Sequence, residues 1–349
     1  MYFASDNAGP VPQSVITALE AANRGFHMSY GNDALTMEVR DRVRDIFEAP
    51  EAAVYLVSTG TAANALALST LGKSWQTIFC SPVAHIHEDE CNAPEFFTGG
   101  SKLTLVEGRD KITPTALENA IEPLLERGVH SPQPGPLSLT QVTEKGTVYT
   151  LNELKALTET ARAHALPVHM DGARFANALA SLDCTPAEMT HNIGIDAVSF
   201  GASKNGLMAA EAVVFFDPKY AWEFELRRKR SGHLLSKHRY IAAQMNAYLK
   251  GELWMDLARR ANDNAKYLAE GLHELSDVTF DYSVDANMMF IQMPCKMHQN
   301  ALTGGAQYYI DREKVIHGAP TDLVGARLVC DWSVGQENID KFLSLVAKF

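Results

Sequence analysis

From residue 52 onward, short apolar or β-branched runs alternate with segments whose apolar residues recur at helical spacing: AAVYLV (52–57), TAANALALSTL, TIFCS (77–81), a polar stretch, then KLTLVE (102–107). This is the rhythm of βαβ units, so the pattern predicts a mainly parallel sheet covered by helices. It continues with Pro114 opening a helix to Arg127, a strand PLSLTQV (136–142), a helix LNELKALTETARAHA and a strand PVHM (167–170). DAVSFGAS and EAVVFFD bring the sheet to seven strands, while SPQPGP (131–136) reads as a loop.

Past residue 235 the texture changes. Two long amphipathic stretches, 237–250 and 254–275, precede short strand patterns at VTFDY, NMMFIQM and ARLVCDW and a helix after Gly335. The chain therefore divides into an N-terminal arm and helix (1–24), a large domain (25–235) and a smaller α+β C-terminal domain (236–349), with residues 1–9 free to reach a site.

Composition narrows the chemistry. Acidic residues outnumber basic ones 42 to 31 for a net charge of −11, which repels nucleic acid and acidic membranes and favours a small-molecule substrate. Five cysteines without a CxxC pair point to reduced thiols and a cytoplasmic protein. The opening MYFASDNAGP has no apolar h-region, and no later run approaches the ~18 apolar residues of a membrane helix.

Three features fall where an open α/β sheet keeps its ligands, beyond the carboxyl ends of strands. Ser58–Thr61 joins a strand to a helix, and a helix N-terminus with Gly60 and Thr61 presents free N–H groups to a phosphate, although such a start is also an ordinary N-cap. Asp171 ends the strand PVHM; a carboxylate there either caps the next helix or keeps a pyridine nitrogen protonated. Lys204 follows the next strand in a loop of small residues, a setting that suits a nucleophilic amine better than a solvated surface lysine.

A phosphate-binding helix start, then a strand-end Asp, then a Lys past the following strand is the order of fold-type I enzymes dependent on pyridoxal 5′-phosphate (PLP). Over nearly its whole length the sequence resembles the L-threonine aldolase family of the low-specificity type. The family's Ser-Asp is present as Ser5–Asp6, its Tyr-Gly-x-Asp as Tyr30–Asp33, its TGTxAN as Thr59–Asn64 and its Ala-His as Ala84–His85. DGAR follows at Asp171–Arg174, Ser-Lys at Ser203–Lys204 and Arg-Leu-Val at Arg327–Val329.

The resemblance implies a PLP-dependent transferase-like fold and cleavage of the Cα–Cβ bond of L-threonine, L-allo-threonine and related β-hydroxy-α-amino acids to glycine and an aldehyde. It implies that Gly60 and Thr61 hold the cofactor phosphate, that His85 stacks on the ring, that Asp171 pairs with the ring nitrogen and that Lys204 carries the cofactor covalently. Ser5, Tyr30, Arg174 and Arg327 would bind the substrate, the guanidinium forks suiting its carboxylate, with Arg174 also at the cofactor. It further implies a homodimer or homotetramer with the site at the subunit interface, where Lys237, or else Arg230 or Arg239, reaches the neighbour's phosphate.

One departure matters. Some members carry Asn-Thr-His after the fifth strand, and here LSLTQVTEKG places Thr143 at the histidine's position. His85, with a phosphate-bound or Glu88-positioned water behind it, is then the candidate base for the β-hydroxyl. The same cradle also suits a β-eliminating lyase or a racemase, which would not release glycine and aldehyde from threonine. AHIHEDEC (84–91) offers another class, a metal-dependent hydrolase with His85 and His87 as an HxH at a strand end; lacking a second ligand cluster, the reading assigns no metal. The basic run 225–239 reads as a solvated helix and loop rather than a nucleic-acid site.

Overall fold

The computed structural model describes residues 1–348. Seven strands, β1 (Ala53–Val57), β2 (Gln76–Cys80), β3 (Lys102–Leu105), β4 (Gln133–Thr140), β5 (Val168–Gly172), β6 (Ala197–Phe200) and β7 (Glu211–Phe215), form one sheet in the order β1-β7-β6-β5-β4-β2-β3. Only β7 runs antiparallel to its neighbours, so the sheet is mainly parallel as the alternating pattern predicts. Central strands such as β5 and β7 are buried along their whole length, which is why they read as continuous apolar runs and not as period-two alternation.

The expected loop at 131–136 is corrected: Gln133–Pro136 already belongs to β4. Prolines are tolerated there because the strand is only beginning and the β2–β4 register shifts between Thr77 and Phe79. Gly135 is required in that crossing, since a Cβ would lie 2.5 Å from the Thr77 carbonyl oxygen. The expected strand end around His85 is likewise replaced by a short helix.

The first four α-helices are α1 (Gln13–Ala22), α2 (Ala34–Ile46), α3 (Gly60–Leu71) and α4 (His85–Glu88), of which α3 and α4 carry residues of the site. α3 is buried from Ala62 to Leu71 because Ala93–Thr98 and Ala221–Arg230 cover its outer side. The smaller sheet has the order β10-β11-β9-β8, built from Thr279–Phe280 (β8), Met288–Pro294 (β9), Tyr309–Ile310 (β10) and Leu323–Val329 (β11).

The cores divide the chain differently from the boundary at 235/236. The helix Arg239–Leu249 packs on α1 and α2, and Met245, Tyr248 and Trp254 lie in the large-domain core. The helix Leu253–His273 spans both cores: Leu257 and Ala258 belong to the large one, Leu268 and Leu272 to the small one. The N-terminal arm joins the small domain, where Phe3 is buried and its carbonyl accepts from Val329 N–H at 2.8 Å.

Candidate active site

Each parallel strand ends at the same edge of the sheet, and the turns there enclose a cavity of about 300 Å³ lined by Ser58, Thr61, His85, Asp171 and Lys204 among others. At its floor α3 begins. The Thr59 hydroxyl accepts from Ala62 N–H at 3.2 Å, which leaves the earlier N–H groups of the first turn for a ligand. A Cβ on Gly60 would meet nothing within 4 Å, so the backbone there borders open space of the kind an anion needs.

Asp171, buried at the end of β5, is pinned through both oxygens. Oδ1 accepts from Ala173 N–H at 2.9 Å and Oδ2 from the Asn64 amide at 2.8 Å. The same Asn64 nitrogen donates to Glu90 Oε1 at 2.9 Å, and Glu90 Oε1 also pairs with His85 Nδ1 at 2.8 Å. The hydrogen bond to Glu90 raises the His85 pKa, and burial raises that of Glu90.

Lys204 sits in the turn after β6, which Asn205 fastens by donating to Tyr248 Oη at 2.7 Å and to the Trp254 carbonyl at 2.8 Å. Burial, and then the Arg174 guanidinium, push its ammonium below the ordinary lysine range against the pull of Asp6, Asp171 and Glu211. The outcome is a lysine that yields a neutral, nucleophilic amine more readily than a surface one.

His85 and Lys204 also line an adjoining cavity of about 460 Å³ with Ser5, Glu144, Arg174 and Arg327. Arg174 is not free to close on a substrate by itself. Its Nε and one terminal nitrogen donate to Asp6 at 2.7 and 3.0 Å, and Asn287 donates to the same carboxylate at 3.1 Å. Burial alone would raise the Asp6 carboxyl, but Arg174 holds it below the usual carboxylate range. Arg327 lies over the Tyr309 ring at 4.4 Å, donates to the Ala4 carbonyl at 3.2 Å and keeps a buried Nε without a partner. Burial and the facing Arg174 lower its pKa, so an anion between the two guanidiniums relieves both.

Gly60, Thr61, His85, Asp171 and Lys204 thus converge on one cavity, with Ser5, Arg174 and Arg327 on the next. Tyr30 and Lys237 line neither cavity. Tyr30 lies beneath the Lys229 ammonium at 4.7 Å, and its N–H donates at 3.0 Å to Ser236, next to exposed Lys237. The sequence reading gave no role to Asp6, Asn64 or Glu144, and met Glu90 only inside the segment AHIHEDEC weighed for metal. Asn64 and Asp6 were visible inside family motifs, whereas nothing near 144 marks an acid brought back against residue 85.

The HxH reading fails on geometry. His85 and His87 stand two apart on a helical turn, where side chains diverge, and His87 is exposed. Among the described residues, His85, Glu90 and Asp171 are the only group close enough to share an ion. The Asn64 amide points its hydrogens at both carboxylates, which a cation between them would repel.

The residues present fit PLP. A helix start borders the open space a phosphate would take, a buried carboxylate and a histidine flank the place for a pyridine ring, and the ammonium at the far wall has a lowered pKa. The pattern of a beta-eliminating lyase matches residues 2–295. The chain is 38% identical to the low specificity L-threonine aldolase of Pseudomonas aeruginosa over 97% of its own length and 94% of that protein. It is 25% identical to the corresponding Escherichia coli K12 protein over 96% and 95% of the two chains. The threonine aldolase structure from Leishmania major superposes with a TM-score of 0.91 at 24% identity, covering 99% of this chain and 98% of that one. With that match and that identity along nearly the whole of both chains, this protein belongs to the beta-eliminating lyase family and, within it, to the low-specificity L-threonine aldolases.

Proposed function

We propose that the chain cleaves the Cα–Cβ bond of L-threonine, L-allo-threonine and related β-hydroxy-α-amino acids, giving glycine and an aldehyde, with PLP held on Lys204. The observation that carries this reading is the shared wall: Lys204 and His85 border both the cofactor cavity and the cavity that holds Arg174 and Arg327. An amino acid whose carboxylate lies between those guanidiniums has its amine toward Lys204 and its side chain toward His85 and Glu144.

When bound, PLP supplies the electron sink for the pair released at Cα. Asp171, fixed by Asn64 and Ala173 N–H, keeps a proton on the ring nitrogen. His85, held at Nδ1 by Glu90, would lie against the ring. Lys204 would hold the cofactor, and its lowered pKa suits an amine that must act as a nucleophile and as a leaving group. Arg327, with Arg174 steadied by Asp6, orients the carboxylate and so sets which Cα bond stands across the ring.

The active unit in this reading is a homodimer or homotetramer. Phe26 and Met28 are 105% and 69% exposed beside Tyr30, whose segment is bonded to the loop of Lys237. Apolar side chains so placed suit burial against a second copy, which would bring Lys237 and Tyr30 to the neighbour's site. Five free thiols suit a reducing cytoplasm, and no described helix is long and apolar enough to cross a membrane.

The test mixes purified protein with threonine, allo-threonine and phenylserine isomers while aldehyde, glycine and cofactor absorbance are followed. Aldehyde and glycine should form in equal amounts, and Lys204→Ala should lose both the turnover and the covalent chromophore. Release of a 2-oxo acid without glycine, or unchanged turnover in Lys204→Ala, would overturn the reading.

A further inference from the structure

The loop after β4 returns an acid to the site. Its first residues are braced from below: Thr143 Oγ1 donates to Asp110 at 3.0 Å, Thr147 donates to the same carboxylate, and Val148 N–H donates to Asp285 at 3.0 Å. Gly146 is held at φ +88° with no room for a Cβ, which would lie 2.5 Å from the Met288 carbonyl oxygen. The brace fixes Glu144 at the wall shared by His85, Lys204 and Arg327.

Within that carboxyl the two oxygens differ. Oε1 accepts from His85 N–H at 2.7 Å and from Thr140 Oγ1 at 2.9 Å. No other described residue donates to Oε2, and it is not among the polar atoms sealed from solvent. A carboxylate anchored through one oxygen, with the other left for the cavity, has the form of a positioned general base.

Resting on the aldolase reading above, we propose that Glu144 is the catalytic base for the substrate's β-hydroxyl, one residue past Thr143, which stands at the position of the histidine that some members carry. The O–H bond breaks to Glu144, and its electron pair becomes the second C–O bond of the departing aldehyde. The Cα–Cβ pair stays on Cα, the charge that PLP, when bound, would stabilise. Cα then takes up one proton and Glu144 releases one, so the carboxyl ends each turnover as it began.

The surroundings favour Glu144 over His85. In the reading above the His85 ring, held at Nδ1 by Glu90, serves the cofactor ring, which leaves the unbonded Glu144 oxygen as the acceptor on the substrate side of the shared wall. Burial, reinforced by the Asp171 charge and opposed by the His85 N–H and Thr140, puts Glu144 at about 7, where a carboxyl exchanges protons readily. Cys80 beside it is pushed up to about 12, and Tyr149 higher still, so neither titrates in its place. Lys204, Arg174 and Arg327 face it from the cavity wall and favour its ionised form, while exposed Glu88 and Asp89 at the rim oppose it weakly.

The test compares holoenzyme of the parent and Glu144→Gln by three readouts: threonine cleavage, exchange of the glycine α-proton with deuterium oxide, and the infrared carboxyl band between pH 6 and 8. Glycine has no β-hydroxyl. Cleavage in Glu144→Gln should fall by ~10²- to 10⁴-fold, the span of general-base catalysis, while α-proton exchange stays within about threefold of the parent. A carboxyl band that titrates in the parent should be missing from the variant. Near-parental cleavage, an equal fall of both reactions, or an unchanged infrared band would each overturn the proposal. If Glu144→Gln does not fold, Thr140→Val decides: losing a donor to the charged form raises the carboxyl pKa, so the acidic limb of kcat must move to higher pH, and an unmoved limb overturns the proposal. A parent that releases no aldehyde yet exchanges glycine would instead sink the aldolase reading itself.

Discussion

A single buried amide organises the residues beneath the cofactor cavity. Asn64 sits one turn into α3 and bridges Asp171 to Glu90, and Glu90 in turn fixes the tautomer and tilt of His85. Glu90 touches neither cofactor nor substrate in this account; it acts through His85. Replacing it by Gln keeps the shape but removes the charge, and a charge-assisted bond of this type contributes ~1.5–3 kcal/mol, so turnover should fall by roughly 10- to 100-fold. The sign at His85 is also set: the first cause of its raised pKa is the bond to Glu90, so in Glu90→Gln its pKa must drop. An NMR titration of the His85 ring reads that directly, and an unmoved midpoint would show that Glu90 is only filling space.

At the level of elements, the sheet registers what the site requires. Strands β4, β5 and β6 are stapled by a chain of side chains: His169 Nδ1 bonds Ser138 Oγ at 3.0 Å and His169 Nε2 bonds Ser199 Oγ at 2.9 Å, two residues before Asp171. Burial lowers the His169 pKa from 6.5 to about 4, so it stays neutral in the folded chain. As pH falls below 6.5 the unfolded chain takes up a proton that the folded one refuses until about 4, and stability is lost across that window, by up to ~3 kcal/mol for this group. The urea midpoint should therefore fall more steeply between pH 7 and 5 in the parent than in His169→Gln, and equal slopes would show that His169 does not remain neutral. Most of this element layer was legible in the sequence, because buried parallel strands are continuous apolar runs and the strand-end residues Asp171 and Lys204 follow them in order. Two places were not. The two prolines of β4 hid a strand start that only its place between β2 and β5 stabilises, and Glu144 reaches the site only through a braced loop that pairs it with His85 N–H across 59 positions.

On the scale of the whole molecule, the arm, the two cores and the site form one chain of contacts. Phe3 anchors the arm in the small domain, Ala4 receives Arg327, and Asp6 receives Arg174 of the large domain, so the substrate cavity lies where both domains meet the N-terminus. Lys237 and Tyr30 are left outside that arrangement, on the surface of the segment pair that also carries exposed Phe26 and Met28. If a second copy covers that surface, each site takes Lys204 from one subunit and Lys237 from the other. Subunits carrying Lys204→Ala and subunits carrying Lys237→Ala should then be impaired alone, the first fully and the second through weaker cofactor retention. Dissociated together and reassembled, they form mixed pairs in which the Lys204-bearing chain receives an intact Lys237 from its neighbour, one complete site per pair. Recovery of aldehyde release beyond the sum of the two separate samples, with cofactor retained at low PLP, supports the shared site. No gain on mixing, with subunit exchange verified by mass, would mean that Lys237 serves its own chain or none.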